Sequence, residues 1–169
     1  EGITMGDLIR KRYKQYIGKG LLRLEKKIDP SQIATRLSAA EVVIIPSNND
    51  NLPYVVLEMM ALGKIVLASR QGGQSEVITD ESDGFLFDHE QPATFSIQLQ
   101  RVLELDGQAR QVIATAAVQK FKENYSYEAV YVKKIKVLDH VMANKQTMNR
   151  VFPFIRTVAG ALPANASLL

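Results

Sequence analysis

Two carboxylates and a pair of glycines have the residue types and the spacing to bind a polyhydroxylated ligand. Asp50 and Glu58 are separated by seven residues, and Gly72 and Gly73 follow further along the chain. Carboxylate oxygens accept paired hydrogen bonds from vicinal hydroxyls, such as those of a ribose or a hexose. Adjacent glycines let the backbone approach a ligand closely, because they carry no Cβ. Together these groups suit a sugar nucleotide.

Three short apolar runs are predicted to be the strands that position these residues. Val42–Ile45 is a β-branched run of the kind found in strands that are covered on both faces, and residues 65–68 and 85–87 form two more runs. A helix is predicted over residues 53–62, closed by Gly63. The repetition of strand, loop, helix and strand predicts an α/β fold, a Rossmann-like parallel sheet with flanking helices.

The candidate residues fall at the carboxyl ends of these strands, where ligands bind in open α/β sheets. Asp50 lies in the loop after the first strand, and Gly72, Gly73 and Glu76 follow the second strand. The N–H groups at the start of helix 53–62 favour a phosphate or sugar oxygen. We therefore expect both loops to form one crevice. The sequence contains neither the G-x-G-x-x-G dinucleotide fingerprint nor the P-loop pattern.

The spacing of apolar residues predicts the remaining helices and one further strand. One amphipathic helix is expected over residues 7–17, followed by a short strand-like stretch over residues 22–24. Further helices are expected through Ile33 and Leu37, from Ala93 onward, and over residues 112–121. A last helix is expected to begin after Ser126. Its predicted inner face consists of Val130, Ile135, Leu138 and Val141.

The composition and the charge of the chain argue against several classes of protein and site. The chain has 169 residues, of which 46% are hydrophobic and 23% charged, an ordinary globular composition. The formal net charge of +3 is small and its charges are mixed along the chain, which argues against a nucleic-acid partner. The absence of cysteine excludes disulfides and cysteine-ligated metals. We predict one partial Rossmann-like domain over residues 1–141 and a tail or linker over residues 142–169.

Each candidate site residue also has a purely structural interpretation. Asp50 is placed to cap the helix that begins near residue 53. Glu58 is compatible with an exposed helix face, and the two glycines at 72 and 73 are compatible with a simple turn. Glu76 is compatible with an acidic residue that only stabilises the start of a helix.

Two other groups of ionisable residues carry weaker signals. His89 stands between Asp88 and Glu90, a composition that resembles a metal site, but a solvated loop is the better interpretation. The basic residues at 10–12 and at 133–136 have the charge to contact anionic lipid, although solvated helix faces are the better interpretation. No metal site is predicted.

The densest pattern in the chain resembles that of a known family. The stretch PSNNDNLPYVVLEMMALGKIVLAS, residues 46–69, resembles the signature of retaining glycosyltransferases of family 4: a serine, a carboxylate, seven residues, a glutamate, a small-residue helix, a glycine and an apolar strand. GGQSEVI at 72–78 and DGFLF at 83–87 are similar to the next two motifs of that family. The resemblance covers roughly residues 20–140. It implies the C-terminal, nucleotide-sugar-binding half of a GT-B fold that lacks its first strands.

The resemblance implies a role for each site residue. Glu58 would hold the ribose hydroxyls of a UDP-, GDP- or ADP-sugar, and Asp50, the catalytic candidate, would contact the sugar hydroxyls. Glutamate is usual at this first acidic position, so Asp50 has a side chain one methylene shorter. No metal or other cofactor is implied. The remaining residues that would line the sugar and the phosphates are Asn51, Leu52, Pro53, Tyr54, Gly72 and Gly73.

The resemblance also implies parts that this sequence does not contain. In the family, an arginine and a lysine near the start of the domain neutralise the diphosphate leaving group, and an N-terminal Rossmann-like domain supplies the acceptor site. Both chain ends look like boundaries cut from a longer protein. We therefore expect a half-site that is inactive alone, because the cationic stabilisation of the leaving group is missing. The expected partners are a nucleotide-sugar donor, a saccharide or lipid-linked acceptor and the N-terminal domain. The expected location is the cytoplasm, or the inner face of its membrane.

Two other functions are compatible with the same architecture. A nucleotide-sugar epimerase would change the sugar without any acceptor. A non-catalytic module would bind a protein partner or a saccharide and would show no affinity for nucleotides. In such a module, Glu58→Ala would change only the stability of the fold.

Overall fold

The computed structural model describes residues 2–25 and 27–143. Contacts divide the chain into two compact units, residues 1–40 and residues 41–169. The predicted tail, residues 142–169, lies outside the described residues from position 144 onward. The described buried hydrophobic residues all fall between Ile45 and Ala117, so the second unit contains the core described below.

A three-stranded parallel sheet forms the centre of the second unit. The strands are β1 (Val42–Ile45), β2 (Ile65–Ser69) and β3 (Phe85–Phe87), in the order β1-β2-β3. Val42 pairs with Ile65, and Leu67 pairs with Phe85. Every residue of β2 and β3 is buried, as expected for parallel strands that are covered on both faces. The three predicted strands and the α/β fold are confirmed.

Helices α4 (Tyr54–Ala61), α5 (Gln74–Val77), α6 (Ala93–Glu104) and α7 (Gly107–Asn124) contact this sheet. Helix α8 (Tyr127–Ala143) contacts α7. Ile65 and Leu67 of β2 pack in one cluster with Val102 of α6 and Ile113 of α7. Successive strand residues alternate between the two faces, so Val66 lies on the opposite face of the sheet. Helix α4 contacts β2 and buries four apolar residues: Val56, Leu57, Met59 and Met60.

Local residue chemistry sets the ends of these helices. At the start of α7 the carboxylate of Asp106 accepts the N–H of Ala109 at 2.7 Å, which caps the helix. At the end of α4, Gly63 has φ +64°, the left-handed conformation in which glycine commonly stops a helix. The predicted helix over residues 53–62, closed by Gly63, is therefore confirmed to within one residue at each end.

The first unit is built from short helices with little burial. It contains α1 (Met5–Arg12), α2 (Lys14–Gly18), a 3-10 turn over Pro30–Gln32 and α3 (Ile33–Leu37). Helix α1 begins with a capping box, in which Thr4 and Asp7 each accept a backbone N–H of the other. Among residues 2–25 and 27–40, none is buried.

Two predictions for the first unit are wrong. The helix expected over residues 7–17 is interrupted at Tyr13, whose φ of −112° and ψ of 25° leave the α region. The strand expected over residues 22–24 is absent from the described structure, since these residues pair with no strand. A strand needs a partner for its backbone groups, and two alternating leucines do not provide one.

The predicted inner face of α8 is also wrong. The helix forms, but it has no buried residue, and Ile135 and Leu138 are 38% and 54% exposed. A helical period identifies residues that share a side of a helix. Whether another element covers that side depends on tertiary structure, which the period does not encode. Over the described residues, no helix is both long and apolar enough to span a membrane.

Candidate functional site

The loops that follow β1 and β2 meet at the carboxyl edge of the sheet. The N–H of Gly73 donates to the carbonyl oxygen of Asp50 at 2.6 Å. A Cβ added to Gly73 would lie 2.5 Å from the carbonyl oxygen of Asn51, and one added to Gly72 would lie 2.8 Å from that of Asp50. Gly72 also has φ +77°, which disfavours any other residue. The glycine pair is therefore required by the contact between the two loops.

The buried side chain of Gln74 makes a second link between these loops. Gln74 is the first residue of α5, and its Nε2 donates to the carbonyl oxygen of Ser47 at 3.1 Å. Sequence reasoning missed this residue, because an amide in a one-turn helix has no periodic signal and its partner lies 27 positions away. The only available signal was its position directly after the glycine pair.

The loop after β3 joins the same edge. Gln71 Nε2 donates to Asp88 Oδ1 at 2.5 Å, and His89 Nε2 lies 3.2 Å from the carbonyl oxygen of Pro46. The pKa of Asp88 is held below its usual value because its carboxylate accepts hydrogen bonds. The larger effect comes from the backbone N–H of Glu90 and the smaller one from the side-chain amide of Gln71. His89 is exposed, as expected for a loop residue, but it also connects the loops after β3 and β1. Within the described ranges, no group of three His, Asp or Glu side chains is placed to hold a metal.

Asp50 does not cap helix α4. The residue before that helix is Pro53, and no side chain of the described residues caps its first turn. The capping interpretation of Asp50 is therefore wrong. Asp50 as a whole residue is half-buried, and its backbone carbonyl oxygen accepts the N–H of Gly73 where the two loops meet.

Glu58 lies one helical turn beyond Tyr54 on α4. Both side chains are exposed, and residues four apart on a helix occupy the same side. The exposure matches the structural interpretation of Glu58, and it also leaves the carboxylate accessible to a ligand. Of the predicted residues, the structure brings Asp50 and Asn51 together with Gly72 and Gly73. Asn51 and Leu52 are exposed, Pro53 is buried, and Glu58 is held on the helix that starts directly after this loop.

A cavity of about 690 Å³ adjoins this loop and was not predicted. Its walls combine the start of α4 with the first turns of α8. The rings of Tyr127 and Tyr131 stack there with centroids 6.1 Å apart. The pKa of Tyr125 is raised, mainly because the residue is partly buried and further because the charges of Asp83 and Glu76 disfavour its ionised form. The residues that line the cavity are Leu52, Tyr54, Leu57, Tyr125, Tyr127, Val130, Tyr131 and Lys134.

Known proteins share this sequence pattern. The sequence model of the family described as glycosyl transferases group 1 matches residues 7–119. The D-inositol 3-phosphate glycosyltransferase of Corynebacterium diphtheriae is 32% identical over 104 residues, which cover 62% of this chain and 24% of that protein. The chain thus spans about a quarter of the length of this relative.

Solved structures share the fold. The C-terminal domain of a group 1 glycosyl transferase, LpcC from Francisella tularensis, is similar with a TM-score of 0.59 and 22% identity, over 73% of this chain and 66% of that one. HepE from Anabaena, solved in complex with UDP, is similar with a TM-score of 0.63 and 21% identity, over 81% of this chain and 38% of that one. The fold is that of a GT-B C-terminal domain, and because the family model matches more than half of the chain, the chain belongs to the glycosyl transferases group 1.

Proposed function

We propose that this chain is the sugar-donor-binding part of a retaining glycosyltransferase, which moves a sugar from a nucleotide sugar to a saccharide or lipid-linked acceptor. One observation carries the proposal. The 2.6 Å bond between Gly73 N and Asp50 O joins the loops after β1 and β2 beside a helix that presents Glu58. Two carboxylates are thereby held on neighbouring elements at the edge of the sheet where α/β folds bind their ligands.

The two carboxylates have different tasks in this proposal. Glu58, on the second turn of α4, accepts hydrogen bonds from the ribose hydroxyls of the nucleotide. Asp50, in the loop, accepts from the sugar hydroxyls and orients the sugar for transfer. The backbone of residues 51–54 and the glycine pair line the sugar and the diphosphate, where the N–H groups at the start of a helix favour negative charge. No metal or cofactor takes part.

The rest of the site belongs to other parts of the protein in this proposal. An N-terminal Rossmann-like domain supplies the acceptor site, and cationic side chains outside the described site neutralise the leaving diphosphate. The isolated chain is expected to bind a nucleotide sugar without transferring the sugar, since positioning remains while leaving-group stabilisation is absent. Family membership supports glycosyl transfer over the epimerase and the non-catalytic module, and no observation favours either alternative.

We also propose a cytoplasmic location at the surface of an anionic membrane. Residues 1–40, here called the basic N-terminal unit, contain nine Lys or Arg and four Asp or Glu, a net charge of +5. Large apolar side chains are exposed in the same unit. An exposed combination of basic and apolar side chains is typical of helices that lie in a membrane interface. The exposed apolar residues are Ile3, Met5, Leu8, Tyr13, Tyr16 and Leu21.

Ligand-observed NMR tests the sugar-donor site. The chain is mixed with UDP, GDP, ADP and their sugar conjugates, and saturation transfer to the ribose protons is measured. We expect saturation with one nucleotide class and its loss in Glu58→Ala, because that change removes the acceptor of the ribose hydroxyls.

Glu104→Ala is the matched control, since Glu104 is also an exposed helical glutamate but lies at the end of α6. Its ribose saturation is expected to equal that of the unmodified chain. Equal saturation in Glu58→Ala would place the nucleotide elsewhere. A folded sample that shows no saturation transfer to the ribose protons of any nucleotide would contradict the proposal that this chain binds a nucleotide sugar.

A further inference from the structure

Gln74 joins the two loops of the proposed sugar-donor site from inside the protein. Its side chain is 0% exposed, and its Nε2 donates to Ser47 O across the gap between the loops. We propose that Gln74 is a positioning residue for Asp50: it holds the loop after β1 so that the Asp50 carboxylate faces the sugar of the bound nucleotide sugar. This inference rests on the proposed function.

Two hydrogen bonds hold this loop at positions three residues apart. Gln74 binds the carbonyl of Ser47 at 3.1 Å, and the N–H of Gly73 binds the carbonyl of Asp50 at 2.6 Å. Both donors come from adjacent residues at the start of α5. The short segment between Ser47 and Asp50 is therefore held at both ends by the start of α5. If the Ser47 end is released, only the bond to the backbone of Asp50 still holds this segment, and we expect the Asp50 side chain to take up other directions.

Stability alone does not account for an amide at this place. The Oε1 atom of Gln74 is buried and has no hydrogen-bond partner within the described part of the chain. A buried acceptor without a partner is unfavourable, whereas an apolar side chain of similar volume would leave no such atom. The feature that glutamine provides and methionine does not is the Nε2 donor to Ser47. We infer that this donor is the reason for glutamine at position 74.

Gln98 provides a comparison within the same unit. It is also buried, and its Nε2 also donates to a backbone carbonyl, that of Leu86 at 3.2 Å. Its Oε1 lies 3.5 Å from a guanidinium nitrogen of Arg101. Gln98 thus resembles Gln74 in residue type, burial and its bond to a backbone carbonyl, but its Nε2 connects α6 to β3 and to the Asp80 carboxylate, at 3.3 Å from Asp80 Oδ1.

The proposed role predicts an effect that depends on the sugar. In the proposed site Asp50 contacts the sugar, whereas Glu58 contacts the ribose from α4. A change at Gln74 should therefore weaken the binding of the nucleotide sugar and leave the binding of the nucleoside diphosphate unchanged. General damage to the fold would weaken both ligands alike.

The test measures dissociation constants of the full chain by calorimetry. The probes are the diphosphate among UDP, GDP and ADP that shows ribose saturation, and its sugar conjugate. For Gln74→Met we expect affinity for the sugar conjugate to fall about tenfold, the effect of one hydrogen bond, with the diphosphate unchanged. For Gln98→Met we expect both constants to stay the same. Gln74→Leu replaces Gln74→Met if the methionine variant does not fold.

A double-mutant cycle with Asp50→Ala separates positioning from an independent effect. If Gln74 acts through Asp50, then adding Gln74→Met to Asp50→Ala causes no further loss of affinity for the sugar conjugate. Equal losses for both probes, no loss for either, or additive losses in the cycle would each overturn the inference. Failure of the unmodified chain to bind any diphosphate would contradict the proposed function itself, and this inference with it.

Discussion

At the scale of single residues, the buried carboxylate of Asp83 shows how polar side chains stabilise this fold. Lys120 Nζ donates to Asp83 Oδ2 at 2.8 Å and to Thr79 Oγ1 at 2.7 Å, and Asp83 Oδ1 accepts the N–H of Thr79 at 2.8 Å. Asp83 is 6% exposed, so its charge depends on these partners. The ion pair joins α7 to the turn that leads into β3.

The variant Lys120→Met should be strongly destabilised. It keeps most of the aliphatic side chain but leaves the Asp83 carboxylate buried without its counter-charge, at an expected cost of about 3 kcal/mol in the free energy of unfolding. Urea unfolding measures this value. Lys122→Met is the control, because Lys122 is exposed on the same helix, and it should cost less than about 0.5 kcal/mol. Equal midpoints for the two variants would show that the pair contributes little.

At the scale of elements, the approach of two loops depends on the absence of one Cβ. Gly73 has φ −71° and ψ −7°, a conformation that alanine adopts without strain. The obstacle to Gly73→Ala is therefore purely steric, because the new Cβ would lie 2.5 Å from the carbonyl oxygen of Asn51. The atoms that this Cβ would meet belong to the backbone of Asn51 and Asp50, so they cannot rotate away and the two loops must separate. We expect a loss of about 1–3 kcal/mol in unfolding free energy and weaker binding of the nucleotide sugar.

Gly107→Ala is the matched control for this change. Gly107 is the first residue of α7, and a Cβ there would meet nothing within 4 Å. This variant should be unchanged or more stable by about 0.5 kcal/mol, since alanine restricts the unfolded chain. Thermal unfolding and nucleotide-sugar titration measure both variants. Unchanged stability and affinity in Gly73→Ala would mean that the contact between the loops is not needed.

The elements differ in how well the sequence predicts them, for physical reasons. Strands β1, β2 and β3 were predictable because buried parallel strands require continuous apolar runs. The position of Asp50 in a loop at the carboxyl edge followed from the same pattern. The exposed face of α8 was not predictable, because it depends on which elements lie nearby. The break at Tyr13 was not predictable either, because the apolar stripe continues through it without interruption. Gln74 was missed for the same reason, since its role comes from a contact with a distant carbonyl.

At the scale of the whole molecule, charge is distributed unevenly between the two units. The basic N-terminal unit carries a net charge of +5, whereas residues 41–169 contain twelve basic and fourteen acidic residues, a net charge of −2. The small overall charge of +3 hides this difference. An anionic surface is therefore expected to attract the first unit and to repel much of the second. The basic residues of α1, Arg10, Lys11 and Arg12, carry three of these charges in one helical turn.

Sedimentation with lipid vesicles tests this distribution. We expect the chain to bind phosphatidylglycerol vesicles, to bind phosphatidylcholine vesicles weakly, and to dissociate as salt shortens the screening length.

Replacing Arg10, Lys11 and Arg12 with glutamine should lower the affinity for phosphatidylglycerol vesicles on the order of 100-fold, because each charge near the surface contributes about 1 kcal/mol. The same replacement at Lys133, Lys134 and Lys136 removes three charges from the unit of net negative charge and should have a much smaller effect. Equal losses in the two triple variants would show that total charge, and not the basic N-terminal unit, determines binding.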